Sequence, residues 1–246
     1  MRTAPNSRAV WRSLVDAASA PYRKAGRYAW HFAHGKVGGD PVFRYLLRRG
    51  LIAPRARVLD IGCGQGLLAS LLRAAGTASN QGRWPADWAT APVDTHVTGI
   101  ERMRSDVERG RAALGDAATF VCADLREADF PAADAVVILD ALHYVSAAQQ
   151  DRVLARARGA LADGGSLLLR VADAGSRRGF ALSLWVDRAV ILVRGGGFLP
   201  LAGRPLALWV ERLQGLGFEV DSEPMNGRLP FANVLLVARV VAPAQP

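Results

Sequence analysis

The sequence predicts an α/β fold with a mostly parallel sheet and helices on both faces. Two patterns carry that prediction. Beyond residue 55, short β-rich runs alternate with helix-periodic segments, as a parallel sheet requires when each crossover is a helix. The last two β-rich runs are joined only by the turn PMNGRLP. That connection is too short for a parallel crossover, so this pair is antiparallel.

The predicted strands are ARVLDI (56–61), THVTGI (95–100), TFVCA (119–123), DAVVIL (134–139), SLLLRVA (166–172), FEVDSE (218–223) and FANVLLVARV (231–240). The predicted helices include 66–75, 102–114, 147–161 and 205–216. Residues 8–52 read as two or three helices ahead of the first strand. The domain expectation is therefore a helical cap, 1–55, followed by an α/β domain, 56–246.

The composition is that of a globular chain: 246 residues, 50% hydrophobic and 22% charged. It excludes a disordered or fibrous protein. Two cysteines, Cys63 and Cys122, provide neither a disulfide framework nor a Cys-rich zinc site. The first residues, MRTAPNSRAVWRSLVD, lack the apolar run of a secretory signal, so a cytoplasmic location is expected.

Two inserts interrupt the alternation. Residues 76–94 read as a long polar loop holding two tryptophans. Residues 176–204 are apolar, but Asp187, Arg188 and Arg194 break them up well short of the roughly 20 apolar residues of a membrane span. An amphipathic helix over 180–194 is expected there. It is read either as a packing or dimer helix, as a lid over an apolar substrate, or as a membrane-surface contact.

Charge is unevenly placed. Residues 1–57 hold 12 Lys/Arg against two acids, Asp16 and Asp40, a net +10, while residues 58–246 are near neutral at −1. Such asymmetry points to an anionic partner at the N-terminal quarter, or to a solvated basic face.

The most informative stretch is VLDIGCGQG, residues 58–66. An apolar run ends in Asp60, and Gly62, Gly64 and Gly66 then open a helix. Glycines permit a tight turn and close approach of backbone to ligand, and the helix start offers free N–H groups. A dinucleotide loop needs G-x-G-x-x-G, whereas position 67 here is Leu. An acid at the strand end repels a pyrophosphate and suits a cationic amino group.

At these residues the chain resembles the class I S-adenosylmethionine-dependent methyltransferases. The resemblance covers about residues 56–240. DIGCGQG is similar to their first motif, which implies that Asp60 and the backbone of Gly62, Cys63, Gly64 and Gly66 hold the methionine part of S-adenosylmethionine. GIE (99–101) is similar to their second-strand end, which assigns the ribose hydroxyls to Glu101. CADLRE (122–127) places Asp124 at the adenine amino group and Leu125 against the ring. AVVILDALHYV (135–145) places Asp140 and Ala141 toward the reactive sulfonium and the substrate. The resemblance implies a Rossmann-like fold of seven strands in the order 3-2-1-4-5-7-6. Asp60 and Glu101 lie 41 residues apart, about twice the roughly 20 usual between a glycine loop and a ribose acid. The 76–94 insert accounts for the excess.

Methyl transfer from a sulfonium is an in-line displacement needing mainly alignment and desolvation. A base is required only where the acceptor must lose a proton. His143, beside Tyr144, is the catalytic candidate, with a structural role as its alternative. His31 and His34 are further candidates if the cap folds over the cofactor. DALH in place of an Asn/Asp-Pro-Pro-aromatic run argues against base-amino methylation of nucleic acids, neither cysteine follows a proline as a cytosine-carbon nucleophile would, and no DNA partner is expected. Asp140 and Asp173 are too sparse for a metal site, so no metal is expected.

A narrower resemblance links YRKAGRYAWHFAHGKVGGDPVF and PMNGRLPFANVLLVARV to methyltransferases associated with bacterial aryl-polyene and polyketide-type pigment pathways. It implies a small aromatic, polyene or polyketide-like acceptor, free or bound to an acidic acyl carrier protein. The alternatives are an RNA or protein methyltransferase that uses the basic N-terminal segment, and a cofactor-binding scaffold without turnover.

Overall fold

The fold is a computed structural model, which describes residues 6–173, 203–225 and 233–241. Among these, seven strands form one sheet: β1 Arg57–Ile61, β2 His96–Glu101, β3 Thr119–Cys122, β4 Ala133–Leu139, β5 Leu161–Ala172, β6 Phe218–Pro224 and β7 Asn233–Val240. Their order is β3-β2-β1-β4-β5-β7-β6, the order that the family resemblance implies. β1 runs parallel to β2, β2 to β3 and β4 to β5, while β7 is antiparallel to both β5 and β6. The chain divides into two compact units, one up to Ala128 and one from Asp129.

The first unit opens with the cap: α1 Ser7–Ser19, a 3-10 turn Ala20–Ala25, α2 Arg27–Gly39 and α3 Pro41–Arg48. Asn6 starts α1 by accepting from the Arg8 N–H at 2.9 Å, satisfying an orphan donor of the first turn. Val10, Leu14, Val15 and Ala18 form its buried stripe. Asp40 caps α3 through the Val42 N–H at 3.1 Å, and Pro41 takes the first helical position, where its missing N–H costs nothing.

After β1, helix α4 spans Leu67–Asn80, longer than the 66–75 expected. The sequence GTASN lacks an apolar stripe and reads as loop, yet Gly76 and Ala78 are buried, with Gly76 packed beside Val93. Nor is the following insert simply polar. Trp88 is buried, with Trp84 edge-on at 5.3 Å, Trp11 at 6.4 Å and the Arg44 guanidinium 5.9 Å from its ring centre. Helix α5, Arg104–Leu114, leads to β3.

In the second unit β4 carries Val136, Val137 and Ile138, all fully buried, as expected of a strand covered on both faces. A 3-10 turn, Leu142–Tyr144, precedes α6, Ala147–Ala160. A capping box starts α6: Ser146 accepts from the Gln149 N–H while the Gln149 side chain accepts from the Ser146 N–H. β5 begins at Leu161, five residues before the predicted start, because its pairing with β4 skips from Ala133↔Leu161 to Ala135↔Ser166 across ADGG. Helix α7, Leu206–Gly215, is anchored where the Asp173 carboxylate accepts from the Leu206 N–H at 3.0 Å. The helix expected over 180–194 lies outside the described residues, as do most of the 176–204 insert and residues 226–230 of the last turn. No described helix is long and apolar enough to cross a membrane.

Ile138 lies at the centre of β4 with no exposure. Ile138→Ala is expected to lower unfolding stability by about 2–5 kcal/mol, read from urea denaturation curves.

Candidate active site

The glycine loop of the first unit hangs on the end of β2. The Gly62 and Cys63 N–H groups both donate to the Ile100 carbonyl, at 2.8 and 3.1 Å. The Gly66 N–H closes a turn on the Cys63 carbonyl at 2.9 Å. Gly62, Gly64 and Gly66 all have positive φ, at 77°, 55° and 79°. Two glycines are fixed by close approach. A Cβ on Gly66 would fall 2.5 Å from the Phe120 ring, and one on Gly99 would fall 2.6 Å from the Cys63 Sγ. Gly64 differs: a Cβ there would meet nothing within 4 Å, so the space beside its Cα is open.

Glu101 ties this loop to the strand end. Its Oε2 accepts from the Gly64 N–H at 3.1 Å and its Oε1 from the Met103 N–H at 2.7 Å. An ionised carboxylate has about four acceptor positions, so it retains capacity for ligand hydroxyls.

Asp60 stands opposite Gly99 in the β1–β2 register and is buried. Burial, and then the Glu101 charge, push its carboxyl from 3.8 up to about 7. A cation brought against the pair would reverse that shift, because an opposite charge favours the ionised form. Burial, followed by Asp60, Glu101 and Asp106, holds the Cys63 thiol above its usual range. It remains protonated at neutral pH and is not poised as a nucleophile.

The next turn carries Asp124 and Leu125. Glu101 pairs with Cys122 in the parallel register, and the Ala123 N–H donates to the Glu101 carbonyl at 3.0 Å. Asp124 accepts from the Arg126 N–H and Nε, both at 2.9 Å, and from its Nη2 at 2.6 Å. Those bonds hold its carboxyl below the ordinary value. Leu125 is half-buried.

The second unit carries the remaining candidates. Asp140 follows β4 with φ 58°, a conformation uncommon outside glycine. Its Oδ1 accepts from the Arg170 Nε at 2.7 Å and its Oδ2 from Arg170 Nη2. The Arg170 side chain is 2% exposed. His143 lies in the 3-10 turn, its ring 4.0 Å from that of Tyr144. Gln150, fully buried on α6, fastens that turn by donating to the Leu142 and Val145 carbonyls at 3.0 and 3.2 Å.

In the cap, His34 lies 3.2 Å from Asp16 on an exposed face, and His31 packs on Trp30 at 4.5 Å. The cap reaches the glycine loop through other residues, Tyr22 and Gln65. Sequence reasoning missed these two, as well as Gln150 and Arg170. Only Arg170 carried a signal, as the one charge inside SLLLRVA. Among the described residues no group of three or more His, Cys, Asp and Glu is placed to hold a metal ion.

The strand order, the glycine loop after the first strand and the acid ending the second define a Rossmann-like methyltransferase fold. A family model described as a methyltransferase domain matches residues 29–223. The chain belongs to this methyltransferase family, whose cofactor is S-adenosylmethionine. The open space beside Gly64 and the buried Asp60 beside Glu101 fit a cofactor that carries a cationic amino group and a ribose.

Comparison with curated proteins by sequence gives no match. Several solved structures share the fold. An O-methyltransferase family protein from Burkholderia thailandensis aligns with TM-score 0.59 and 20% identity over 89% of this chain. The chain spans 62% of the length of that protein. Magnesium protoporphyrin IX methyltransferase from Synechocystis PCC 6803 with bound SAH aligns with TM-score 0.54 and 18% identity, over 95% of this chain and 84% of its own. Mitomycin 7-O-methyltransferase aligns with TM-score 0.57 and 20% identity, over 93% and 68%.

The Asp60 shift sets a pH dependence. Its folded value is raised, so the neutral acid favours folding. That contribution is complete below 3.8 and is lost as pH rises through about 7. Without cofactor, the thermal midpoint of the wild-type chain is expected to fall relative to that of Asp60→Asn between pH 4 and pH 8. Parallel midpoints across that range would contradict the buried, charge-coupled environment of Asp60.

Proposed function

We propose that the chain moves a methyl group from S-adenosylmethionine to a hydroxyl or carbon of a small aromatic, polyene or polyketide-like acceptor. The observation that carries the reading is the pair of carboxylates, Asp60 and Glu101, joined to a glycine loop with open space beside Gly64. In this reading the loop from Gly62 to Gly66, with Cys63 between, and Asp60 hold the methionine end. Glu101 takes the ribose hydroxyls. Asp124 takes the adenine amino group, exchanging bonds now made to Arg126, and Leu125 packs on the ring. Asp140 marks the acceptor side.

When bound, the cofactor supplies a methyl group on a sulfonium, already activated for transfer. The chain's task is then to align the acceptor and exclude water. For a hydroxyl acceptor, His143 takes the proton on a ring nitrogen while Gln150 holds its turn in place. The O-methyltransferases among the compared structures favour a hydroxyl.

The basic cap favours an acidic carrier protein that presents the acceptor, in the cytoplasm. Its two acids are paired, Asp16 with His34 and Asp40 with Lys36, while Arg8, Arg12, Arg23, Lys24 and Arg27 stand exposed. The same surface supports a second reading, RNA or a larger protein as the acceptor, and RNA binding there would weaken steeply with salt.

One experiment separates these readings. The purified chain is incubated with methyl-labelled S-adenosylmethionine and cell extract, which is then fractionated. Label in the organic-soluble fraction, or on a small acidic protein, is expected. Label in RNA or larger proteins would move the acceptor to the second reading. Tight cofactor binding with no label transferred would leave a scaffold. Within the cofactor assignment, Glu101→Ala is expected to weaken S-adenosylmethionine binding by about 1.5–3 kcal/mol, as for hydrogen bonds to a charged group. Calorimetry on the folded variant checks it, and unchanged affinity would discard the ribose role.

A further inference from the structure

We propose that Tyr22 and Gln65 form a latch through which the N-terminal cap sets the backbone of the cofactor loop, so that the cap is part of the donor site. Tyr22 is fully buried and its O–H donates to the Gln65 main-chain carbonyl at 2.9 Å. The Gln65 side chain, also buried, reaches the other way, and its Nε2 donates to the Ala29 carbonyl of α2 at 3.0 Å. The residue between Gly64 and Gly66 is therefore gripped twice by the cap, once by its main chain and once by its side chain. A third bond lies alongside, from the Ser70 Oγ on α4 to the Ala18 carbonyl of α1 at 2.7 Å.

The grip acts where the loop is weakest on its own. Gly64 and Gly66 have positive φ, and glycine has more conformational freedom to lose than any other residue. Pinning the Gln65 carbonyl fixes the plane of the peptide between Gln65 and Gly66. The Gly66 N–H then meets the Cys63 carbonyl, and the open face at Gly64 holds its shape without ligand. Burial keeps the Tyr22 phenol far above its ordinary titration range, so it stays a donor at every working pH. A preorganised loop binds its ligand without a further ordering cost.

This inference rests on the donor reading above, and the test separates the two. Three variants are compared with the wild type by amide hydrogen exchange of residues 64–66 without ligand and by calorimetric titration with S-adenosylmethionine. Tyr22→Phe removes only the hydroxyl. It is expected to speed exchange in the loop and to raise the dissociation constant roughly three- to ten-fold, the scale of one lost hydrogen bond. Gln65→Met severs the bond to Ala29, is expected to act in the same direction, and decides the matter if Tyr22→Phe does not fold. Asn6→Ala uncaps α1 without touching the loop. It is expected to lower the thermal midpoint while leaving loop exchange and affinity at wild-type values. The latch is overturned if Tyr22→Phe lowers the thermal midpoint but changes neither exchange nor affinity. It is equally overturned if Asn6→Ala changes both as much as Tyr22→Phe does. A wild-type chain that binds no S-adenosylmethionine rejects the donor reading, and loop exchange alone then decides the latch.

Discussion

The first unit depends on one acceptor, the carbonyl of Ile100. Two successive amides, those of Gly62 and Cys63, converge on it, and this pair of hydrogen bonds to the end of β2 dictates much of what surrounds it. Residue 99 must be glycine because the Cys63 side chain lies where a Cβ would be. Residue 101 comes within reach of the Gly64 N–H because it follows the carbonyl that holds the loop. Asp60, one residue from the end of β1, is drawn under the same loop, where water cannot stabilise its charge. The raised carboxyl of Asp60 is thus a consequence of backbone geometry: burying the loop against β2 places a second carboxylate beside it. Two like charges at a buried site are costly, and a cationic ligand relieves that cost.

The cap answers a different need. A turn made of GCGQG has few side chains with which to hold itself. The cap supplies them from outside: Tyr22 from its 3-10 turn and a carbonyl from α2. The apolar stripe of α1 is buried, which leaves its arginines on the solvent side. One segment therefore carries two properties on opposite faces, an uncharged hydrogen-bonded face that shapes the loop and a cationic face open to an anionic partner. The cap belongs to the same compact unit as β1, β2 and β3.

What the sequence made legible has a physical boundary. Strand runs such as AVVIL are read directly because burial on both faces demands unbroken apolar residues, and the observed strand order follows from recognising the loop and the acid that ends β2. Local composition misreads α4 beyond residue 75, since burial of Gly76 and Ala78 outweighs the weak helix propensity of GTASN. It misreads Trp88 because a tryptophan among polar residues takes its burial from partners such as Trp11 far along the chain. Tyr22 and Gln65 lie 43 residues apart, and Asp140 and Arg170 lie 30 apart. No period links either pair. The positions of Asp60, Glu101, Asp124 and Asp140 at strand ends were readable, whereas the groups that hold or neutralise them were not.

That distinction bears on the chemistry. Asp60 and Asp140 both stand at strand ends, and their electrostatics are opposite. Asp60 has a second carboxylate as its charged neighbour. Asp140 has a guanidinium aligned along both oxygens, supplied by an arginine that is itself buried. The pair is half-buried, with the Asp140 side chain 31% exposed, and its two parallel bonds fix the position of the carboxylate. Here it fixes a residue at φ 58°, where a non-glycine backbone otherwise costs energy. The raised carboxyl of Asp60 thus suits a cationic group, while Asp140 already faces a guanidinium. Methyl transfer from a sulfonium asks chiefly for alignment, because the activated leaving group arrives with the cofactor, and under the proposed function a carboxylate fixed in place at the end of β4 serves that need.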